Sequence, residues 1–331
     1  MEDLEMKLLI VSRQQRARSF DTLFAGLCAQ FSDVEIHKLE KAEVHNIKSY
    51  LARVDLTQYD RVLFDIPLRR IGPACKALRS IQGLIFYEED ACQELVAESK
   101  YTEQFSKDFA LLSNARIVVT SYFIRDYLIA KGIDAYCIPK AFDDSTLKNL
   151  DTPRDIALAF IGRTKSQVYN ERRSLLESMA KRFAMQTLRT ETPQEYLNLL
   201  NRIAVFISAD IGFNEYMAKN FEAMACGCLL LAKRQPSEDQ ALGLIDMHNV
   251  VHYDTLEEAA DKYQQLQNDP ALLEQIARNG LDLVNSRHAL SLRVPDFVAV
   301  IKLPAKAVEV APRGVFERLM HRLTRQRQAC H

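Results

Sequence analysis

Residues 204–232, AVFISADIGFNEYMAKNFEAMACGCLLLA, contain the succession of elements that decides the fold. An apolar run of strand length, Ala204–Ser208, leads into a polar loop. A helix is predicted over Lys219–Ala225, where small residues favour close packing, and it ends before Gly227. A second apolar run, Leu229–Ala232, follows. A strand, a crossover helix and a second strand in this order predict a unit of parallel sheet.

The same alternation of strand-length and helix-length segments extends along the chain in both directions. The other predicted strands are Lys7–Ser12, Val34–His37, Arg61–Asp65, Gly83–Tyr87, Ile117–Ser121, Tyr136–Ile138, Ile156–Ile161, Ala184–Leu188 and Asn249–Tyr253. The other predicted helices are Ser19–Gln30, Ala42–Ala52, Gly72–Ile81, Ser121–Lys131, Asn170–Phe183, Pro193–Asn201, Leu256–Asn268 and Ala271–Ser286. This pattern predicts an α/β fold of two doubly wound, Rossmann-like domains that face each other across a cleft.

A polar stretch over 142–155 divides the alternation and predicts a linker between the domains. The predicted domains are residues 1–145 and 156–290, and residues 291–331 form a C-terminal extension. Parallel sheets bind ligands at the carboxyl ends of their strands, so candidate site residues are expected directly after the strands.

The composition of the 331-residue chain excludes several classes of protein. Apolar residues make up 48% and charged residues 26%, which are globular proportions and exclude disordered, collagen-like and coiled-coil chains. The net charge of −1 provides no chain-wide field for nucleic acid, so no nucleic-acid partner is expected. No apolar run approaches 18 residues and the N-terminus lacks a signal-peptide pattern. The seven scattered cysteines predict reduced thiols and a cytoplasmic location, and no cluster has the spacing of a metal site.

A first candidate site follows the strand Ile156–Ile161. Gly162 allows a tight turn and a close anion approach, and Arg163 and Lys165 place two cations beside it. These residues predict a phosphate site, and a solvated turn before a basic helix remains the alternative.

A second candidate site is the pair Lys219 and Glu222 in the predicted helix. Glu222 lies between apolar residues, so its carboxylate is expected to be partly buried and to need a partner. A vicinal diol provides two hydroxyl donors, and Lys219, one turn earlier, would hold a phosphate. The alternative is a surface Lys–Glu pair.

The stretch Lys219-x-Phe-Glu-Ala-Met-Ala-x-Gly227 resembles glycosyltransferases of the group-1 type. It is most similar to the spore-maturation-protein-like branch, which carries an Arg-x-Phe-Glu-x-x-Ala-x-Gly signature. The surrounding order of elements is also similar, at Phe160–Gly162, Thr192–Asn201, Asp254–Ala260, Asn268–Leu273 and Ile138–Asp143.

This resemblance implies a GT-B fold, with a UDP- or GDP-linked sugar donor in the C-terminal domain and the acceptor in the N-terminal domain. It implies no essential metal, and no cofactor beyond this nucleotide-sugar co-substrate. Carried over, Glu222 binds the ribose diol, and Lys219 and Arg163 contact the diphosphate. Asn214 stands where many of these enzymes have a second Glu, and Glu215 is one residue off, which leaves the contact to the transferred sugar open.

The N-terminal half provides candidate catalytic and acceptor-binding residues. Glu88 and Asp90 follow the strand Gly83–Tyr87 and are candidates for an acceptor-binding group or a general base, with a helix start as the alternative. Asp65, at the end of the strand Arg61–Asp65, is a further candidate to bind the acceptor. The candidates for an anionic acceptor, with a polar helix start as the alternative, are Arg13, Arg16 and Arg18.

Residues 313–327 predict a basic amphipathic helix. Two interpretations stay open: peripheral contact with the inner face of a membrane, or packing on the protein as a terminal helix.

The predicted function is transfer of a sugar from a nucleoside diphosphate to an acceptor hydroxyl, on a glycan, lipid-linked or protein acceptor. The resemblance implies bacterial surface polysaccharide or lipopolysaccharide biosynthesis. The alternatives are a catalytically degenerate GT-B protein that binds a nucleotide or partner, and a GT-B sugar-nucleotide epimerase.

Overall fold

The structure, a computed structural model, describes residues 4–16, 18–165, 170–209 and 213–307, with the backbone alone at residues 4 and 5. The predicted helix over 313–327 lies outside the described residues. Two parallel sheets form the framework, which confirms the predicted fold class.

The first sheet has six strands in the order β2-β1-β3-β4-β5-β6. Its strands are β1 (Leu4–Arg13), β2 (Phe31–Leu39), β3 (Arg61–Asp65), β4 (Leu84–Glu88), β5 (Arg116–Val119) and β6 (Ala135–Cys137). Every pairing is parallel, and the register sets Ser12 of β1 opposite Asp65 of β3. The carboxyl ends of all six strands therefore lie along one edge.

Six α-helices connect these strands: α1 (Asp21–Cys28), α2 (Lys41–His45), α3 (Ile47–Arg53), α4 (Leu68–Ile71), α5 (Phe105–Ala110) and α6 (Tyr122–Ala130). The single helix predicted over Ala42–Ala52 is wrong, because Asn46 leaves helical geometry and separates α2 from α3. The segment Gly72–Ser80, within the predicted helical stretch Gly72–Ile81, is a 3-10 helix. Gly72 enters it with φ +48°, followed by Pro73, and this backbone prevents α4 from continuing.

The second sheet has five parallel strands in the order β11-β10-β9-β7-β8. Its strands are β7 (Ile156–Ile161), β8 (Gln186–Leu188), β9 (Ile203–Ile207), β10 (Leu229–Lys233) and β11 (Val251–Tyr253). Its helices are α7 (Asn170–Arg182), α8 (Pro193–Arg202), α9 (Ala218–Ala225), α10 (Pro236–Leu242), α11 (Leu256–Asn268) and α12 (Pro270–Arg287).

The final described helix, α13 (Val294–Lys302), returns to the first sheet. Phe297 and Ile301 are buried in one cluster with Leu8 and Ile10 of β1, and the ring of Phe297 lies 5.2 Å from that of Tyr87, edge to face. A helix that follows the second domain in the sequence therefore covers one face of the first domain.

Two segments cross between the domains side by side. The N–H of Phe142 donates to the carbonyl of His288 (3.1 Å), and the N–H of Leu290 donates to the carbonyl of Phe142 (2.8 Å). Arg293 donates from Nε to the carbonyl of Pro139 (2.9 Å). These contacts hold the two crossing segments to each other. Across the described ranges, no helix has the length and apolar character needed to cross a membrane.

Candidate functional site

A network of arginines and carboxylates lies at the carboxyl edge of the first sheet. Asp65, at the end of β3, accepts hydrogen bonds from Ser12 Oγ (2.6 Å) and from Arg16 Nε (2.9 Å) and Nη2 (2.8 Å). The same Nη2 reaches Glu89 Oε2 at 2.7 Å. The register of β1 against β3 creates this network, because it places Ser12 and Asp65 side by side. Arg16 and Asp65, which were each predicted to bind the acceptor, therefore form one buried ion pair.

Arg18 extends the network across the cleft to the second domain. It donates to a carboxylate oxygen of Glu89 and to the carbonyl of Ala141 (2.9 Å), and its Nη1 lies 3.9 Å from Glu222 Oε1. Burial alone would raise the pKa of Glu89, but Arg18, Arg16 and Lys140 outweigh it and lower that pKa to about 2. Glu89 is therefore a fixed negative charge and a poor proton acceptor at neutral pH.

The two residues that flank Glu89, predicted as catalytic, lie in different surroundings. Glu88 is fully buried, and its two oxygens accept the backbone N–H groups of Leu68 and Asp90, each at 2.7 Å. Burial, with a smaller contribution from Asp90, raises the pKa of Glu88 to about 8. Asp90 forms an ion pair with Arg69 Nε at 2.7 Å and keeps 29% of its side chain exposed.

Glu222 lies on α9 in the wall of a cavity of about 660 Å³. Its side chain is buried, as predicted, and its partner is the hydroxyl of Tyr196, which donates to Oε2 at 2.7 Å. Beside these two, the cavity is lined by Arg18, Ser19, Ala141, Asp143, Thr146, Leu147, Leu197, Leu290 and residues 190–194. Glu222 and Tyr196 thus form one part of the cavity wall, and residues 141–147 of the segment that crosses between the domains contribute another part.

Lys219, in the first turn of α9, approaches the end of β7 closely. Its Nζ lies 4.8 Å from the centre of the Phe160 ring. A Cβ at Gly162 would lie 2.9 Å from that Nζ and 2.8 Å from the Phe160 ring, so this position requires glycine. Gly162 and Lys219, which are far apart in the chain, therefore form one contact at the carboxyl edge of the second sheet.

Arg163 and Lys165 are exposed beyond Gly162, at the end of β7. The carbonyl of Arg163 accepts a hydrogen bond from Arg172 Nη1 (3.1 Å), while Arg172 Nε donates to the carbonyl of Ala209 (3.1 Å). Arg172 thus ties the turn after β7 to the turn after β9 and leaves two cationic side chains at the surface.

The structure places Asn214 and Glu215 at the domain interface. Asn214 has φ +50°, and its carbonyl accepts a hydrogen bond from Ser121 Oγ at 2.9 Å. Glu215 is buried, and Lys140 Nζ and Thr120 Oγ1 both donate to its Oε1. Neither residue lines the cavity that contains Glu222.

A second buried carboxylate at the interface, Glu238 of α10, was not predicted. Its Oε1 accepts hydrogen bonds from Ser121 Oγ (3.0 Å) and from the backbone N–H of Phe123 (2.9 Å), so it caps α6 of the other domain. Burial raises the pKa of Glu238 to about 7.

Arg13, predicted to bind the acceptor, ends β1 beside this network. Its Nε is buried and has no hydrogen-bond partner among the described residues. Burial and the nearby Arg16 lower the pKa of Arg13.

The described residues include no group of three or more His, Cys, Asp or Glu side chains arranged to hold a metal ion. Lys140, Tyr196 and Glu238 were missed, since nothing in the local sequence separates them from surface residues. Strand alternation places Glu88 on the same face as the core residue Phe86 and turns the next residue, Glu89, the other way. This pattern could have identified Glu89 as a candidate.

Comparison with known proteins assigns the architecture. Residues 154–299 match a family model described as "Glycosyl transferase-like". No curated protein sequence matches the chain.

Several solved structures share the fold. HepE from Anabaena, solved with UDP and glucose, has 11% identity and a TM-score of 0.60, and the match covers 89% of this chain and 99% of that one. A glycosyltransferase from Rickettsia africae has 11% identity and a TM-score of 0.61, with 90% and 98% covered. Sucrose-phosphate synthase from Thermosynechococcus elongatus has 15% identity and a TM-score of 0.56, with 98% and 100% covered. The chain therefore has the GT-B fold of glycosyltransferases, and its residues 154–299 carry the sequence pattern of the glycosyl transferase-like family.

Proposed function

We propose that the protein is a glycosyltransferase that moves a sugar from a UDP-linked donor to an acceptor hydroxyl. The observation that carries this proposal is the buried carboxylate of Glu222, held by Tyr196 in the wall of the cavity at the domain interface. The family match over 154–299 supports the reaction class. The structure of HepE, solved with UDP and glucose on the same fold, supports UDP over GDP as the nucleotide.

In this proposal the ribose diol of the donor binds Glu222. An ionised carboxylate offers about four acceptor positions, so it can take two hydroxyl donors while Tyr196 occupies one position. The hydroxyl of Tyr196 fixes the rotamer of Glu222, because it donates to Oε2 at 2.7 Å. The nucleobase then occupies the part of the cavity beside Leu197 and residues 190–194.

The diphosphate binds at the contact between Lys219 and Gly162. The glycine lets a phosphate approach the backbone, and the ammonium group of Lys219 neutralises the charge that develops as the diphosphate leaves. Arg163 and Lys165 add two exposed cations at the same strand end. We propose that these side chains supply the required positive charge without a metal ion, and activity measured with EDTA and with Mn²⁺ tests this directly.

The acceptor binds along the carboxyl edge of the first sheet, where Asp65, Arg16 and Arg13 lie. Of the two predicted catalytic carboxylates, Asp90 is the candidate proton acceptor, since part of its side chain is exposed and Glu88 is fully enclosed. Glu89 acts as a fixed charge, and Glu89 and Asp65 together position Arg16 and Arg18 between the donor and acceptor sites.

Titration with uridine and with UDP separates the two halves of the donor site. We expect Glu222→Gln to weaken the binding of both ligands by about 10- to 100-fold, because the diol loses a charged acceptor. Lys219→Met is expected to weaken UDP binding by a similar factor and to leave uridine binding unchanged. The exposed pair Lys107 and Glu103 provides matched controls, as Lys107→Met and Glu103→Gln. Unchanged uridine affinity in Glu222→Gln would reject the site.

A catalytically degenerate nucleotide-binding protein is the second candidate. Asn214 in place of a carboxylate, and the engagement of Glu215 with Lys140, favour it. Hydrolysis of UDP-sugars without acceptor distinguishes the two, because an active transferase releases some sugar to water. Formation of an epimer in the same assay would instead indicate an epimerase.

The pathway and location are proposed from the sequence resemblance. We propose a cytoplasmic role in bacterial surface polysaccharide or lipopolysaccharide biosynthesis, on a glycan, lipid-linked or protein acceptor, and a position nearest the spore-maturation-protein-like branch. The cysteines at positions 28, 75, 92, 137, 226 and 228 are free thiols, which supports a reducing compartment.

A further inference from the structure

Three guanidinium groups gather at the carboxyl ends of β1 and β3. The register pairs Ser12 with Asp65, so Arg13 leaves the sheet beside the segment that follows β3. That segment enters the short helix α4, which carries Arg69 and Arg70. Two strand ends thus bring together cations that lie about 56 residues apart in the sequence. We name Arg13, Arg69 and Arg70 the arginine edge.

The arginine edge lacks sufficient negative charge of its own. Arg16 and Ser12 engage both oxygens of Asp65, and Arg16 and Arg18 engage Glu89. Asp90 forms an ion pair with Arg69. In the part of the chain that the structure describes, neither Arg13 nor Arg70 has a carboxylate at ion-pair distance.

The side chain of Arg13 shows the consequence of this excess of positive charge. Its Nε is buried without a hydrogen-bond partner among the described residues, which is costly for a charged donor. Burial lowers the pKa of Arg13 most, followed by repulsion from Arg16, and Arg70 and Arg69 act in the same direction. Asp65 offsets this effect in part. A partly buried cation repelled by three others is stabilised when an anion binds beside it.

Asp65, which acts electrostatically on Arg13 of the arginine edge, is connected by direct contacts to the proposed donor site. Arg16 joins Asp65 to Glu89, and Arg18 joins Glu89 to Glu222. An anion at the arginine edge would therefore lie at the same carboxyl edge as the cleft, on the domain opposite the nucleotide.

We propose that the acceptor carries an acidic group, a phosphate or a carboxylate, which binds between Arg13 and Arg70 at the carboxyl ends of β1 and β3. This inference rests on the proposed transferase function and specifies its acceptor. The guanidinium of Arg13 binds the anion at the end of β1, and Arg70 adds a second cation from the exposed surface. The acidic group anchors the acceptor while its hydroxyl reaches the cleft.

The experiment titrates the UDP-saturated protein with three small probes: glucose 6-phosphate, glucuronate and methyl glucoside. Saturation with UDP blocks the diphosphate site, so the charged probes report on a separate site. We expect at least one charged probe to bind saturably and methyl glucoside to bind at least about tenfold more weakly. Preference for glucose 6-phosphate assigns a phosphate, and preference for glucuronate assigns a carboxylate.

Substitutions locate the binding. Arg13→Gln and Arg70→Gln are each expected to weaken binding of the preferred anion by about 10- to 100-fold. Arg53→Gln is the matched control, because Arg53 is exposed, pairs with Glu43 and ends the helix that leads towards the amino end of β3.

Two results would overturn the inference: absence of saturable anion binding by the wild-type protein, or anion affinity unchanged in both edge variants. The UDP titration of each sample serves as a test of folding and of the donor site. If the wild-type protein fails to bind UDP, the proposed function fails. If UDP binds and the anions do not, the acceptor assignment alone fails.

Discussion

Arg18 Nη1 of the first domain lies 3.9 Å from Glu222 Oε1 of the second. The same guanidinium donates to Glu89, which Arg16 connects to Asp65 at the end of β3. A continuous series of charged contacts therefore runs from the first sheet to the carboxylate that we propose binds ribose. Both domains determine the charge at the proposed donor site.

The interaction between Arg18 and Glu89 is expected to be a buried, coupled ion pair. Arg18→Met should lower the free energy of unfolding, because Glu89 loses one of its cations. Glu89→Gln removes the charge that needs neutralising, so the double variant should lose less than the sum of the two single variants. A coupling free energy of about 1–3 kcal/mol is expected from urea unfolding of all four proteins. Strict additivity would show that the pair contributes no specific interaction.

Gly162→Ala is expected to weaken UDP binding while leaving uridine binding unchanged. The new Cβ would lie 2.9 Å from Lys219 Nζ and displace the ammonium group from the proposed diphosphate position. Calorimetric titration with the two ligands measures the difference. Gly132→Ala is a suitable comparison, since a Cβ there meets no atom within 4 Å, although both positions have positive φ. Equal loss of UDP affinity in both variants would trace the effect to backbone strain instead of Lys219.

Substituting only one partner of the buried ion pair between Lys140 and Glu215 is expected to lower the free energy of unfolding. Lys140→Met leaves the enclosed carboxylate of Glu215 without its cation and should destabilise the protein by about 3–5 kcal/mol. The double variant Lys140→Met/Glu215→Leu removes both charges and should recover much of that loss. Urea unfolding measures both variants. A double variant as unstable as Lys140→Met would contradict this account.

Ionisation of Glu238 is expected to lower the free energy of unfolding as the pH rises. Burial raises its pKa from 4.5 to about 7, so the folded protein retains a proton that the unfolded chain has already released. This contribution is complete below about pH 4.5 and is lost as pH passes through about 7. Glu238→Gln keeps an acceptor for Ser121 and Phe123 but cannot ionise. Its unfolding free energy relative to wild type should increase by on the order of 2 kcal/mol between pH 5 and pH 8.

Unfolding curves of the two proteins at a series of pH values provide the measurement. Glu88, whose pKa is raised to about 8, remains in both proteins and continues to lower stability at higher pH. A pH-independent difference between wild type and Glu238→Gln would exclude Glu238 as a titrating group.

The strands were predictable because buried parallel strands are continuous apolar runs. Arg61–Asp65 and Ile156–Ile161 agree with the structure at both ends, and every strand of both sheets was predicted within a few residues. Four helices were not predicted: α4, α5, α10 and α13. A four-residue helix has no detectable periodicity, and α13 reads locally as one more apolar segment.

Site features that depend on a single helix or strand were predictable. Contacts between distant segments and between the two domains were not. Glu222 among apolar neighbours indicated a buried carboxylate with a partner, which the structure confirms. The identity of that partner, Tyr196, depends on how α8 packs beside α9, and the engagement of Glu215 by Lys140 depends on domain docking. Local sequence patterns contain no information on contacts between segments so far apart.

The return of α13 to the first sheet affects how the protein matures during synthesis. Phe297 and Ile301 complete the core around β1, so that core stays open until the ribosome has released the whole second domain. One apolar face of the first domain therefore stays exposed to water until α13 has been synthesised. A gene fragment that ends at the interdomain linker would yield an aggregation-prone, protease-sensitive product. Any exchange of the second domain must therefore keep α13 together with the first domain.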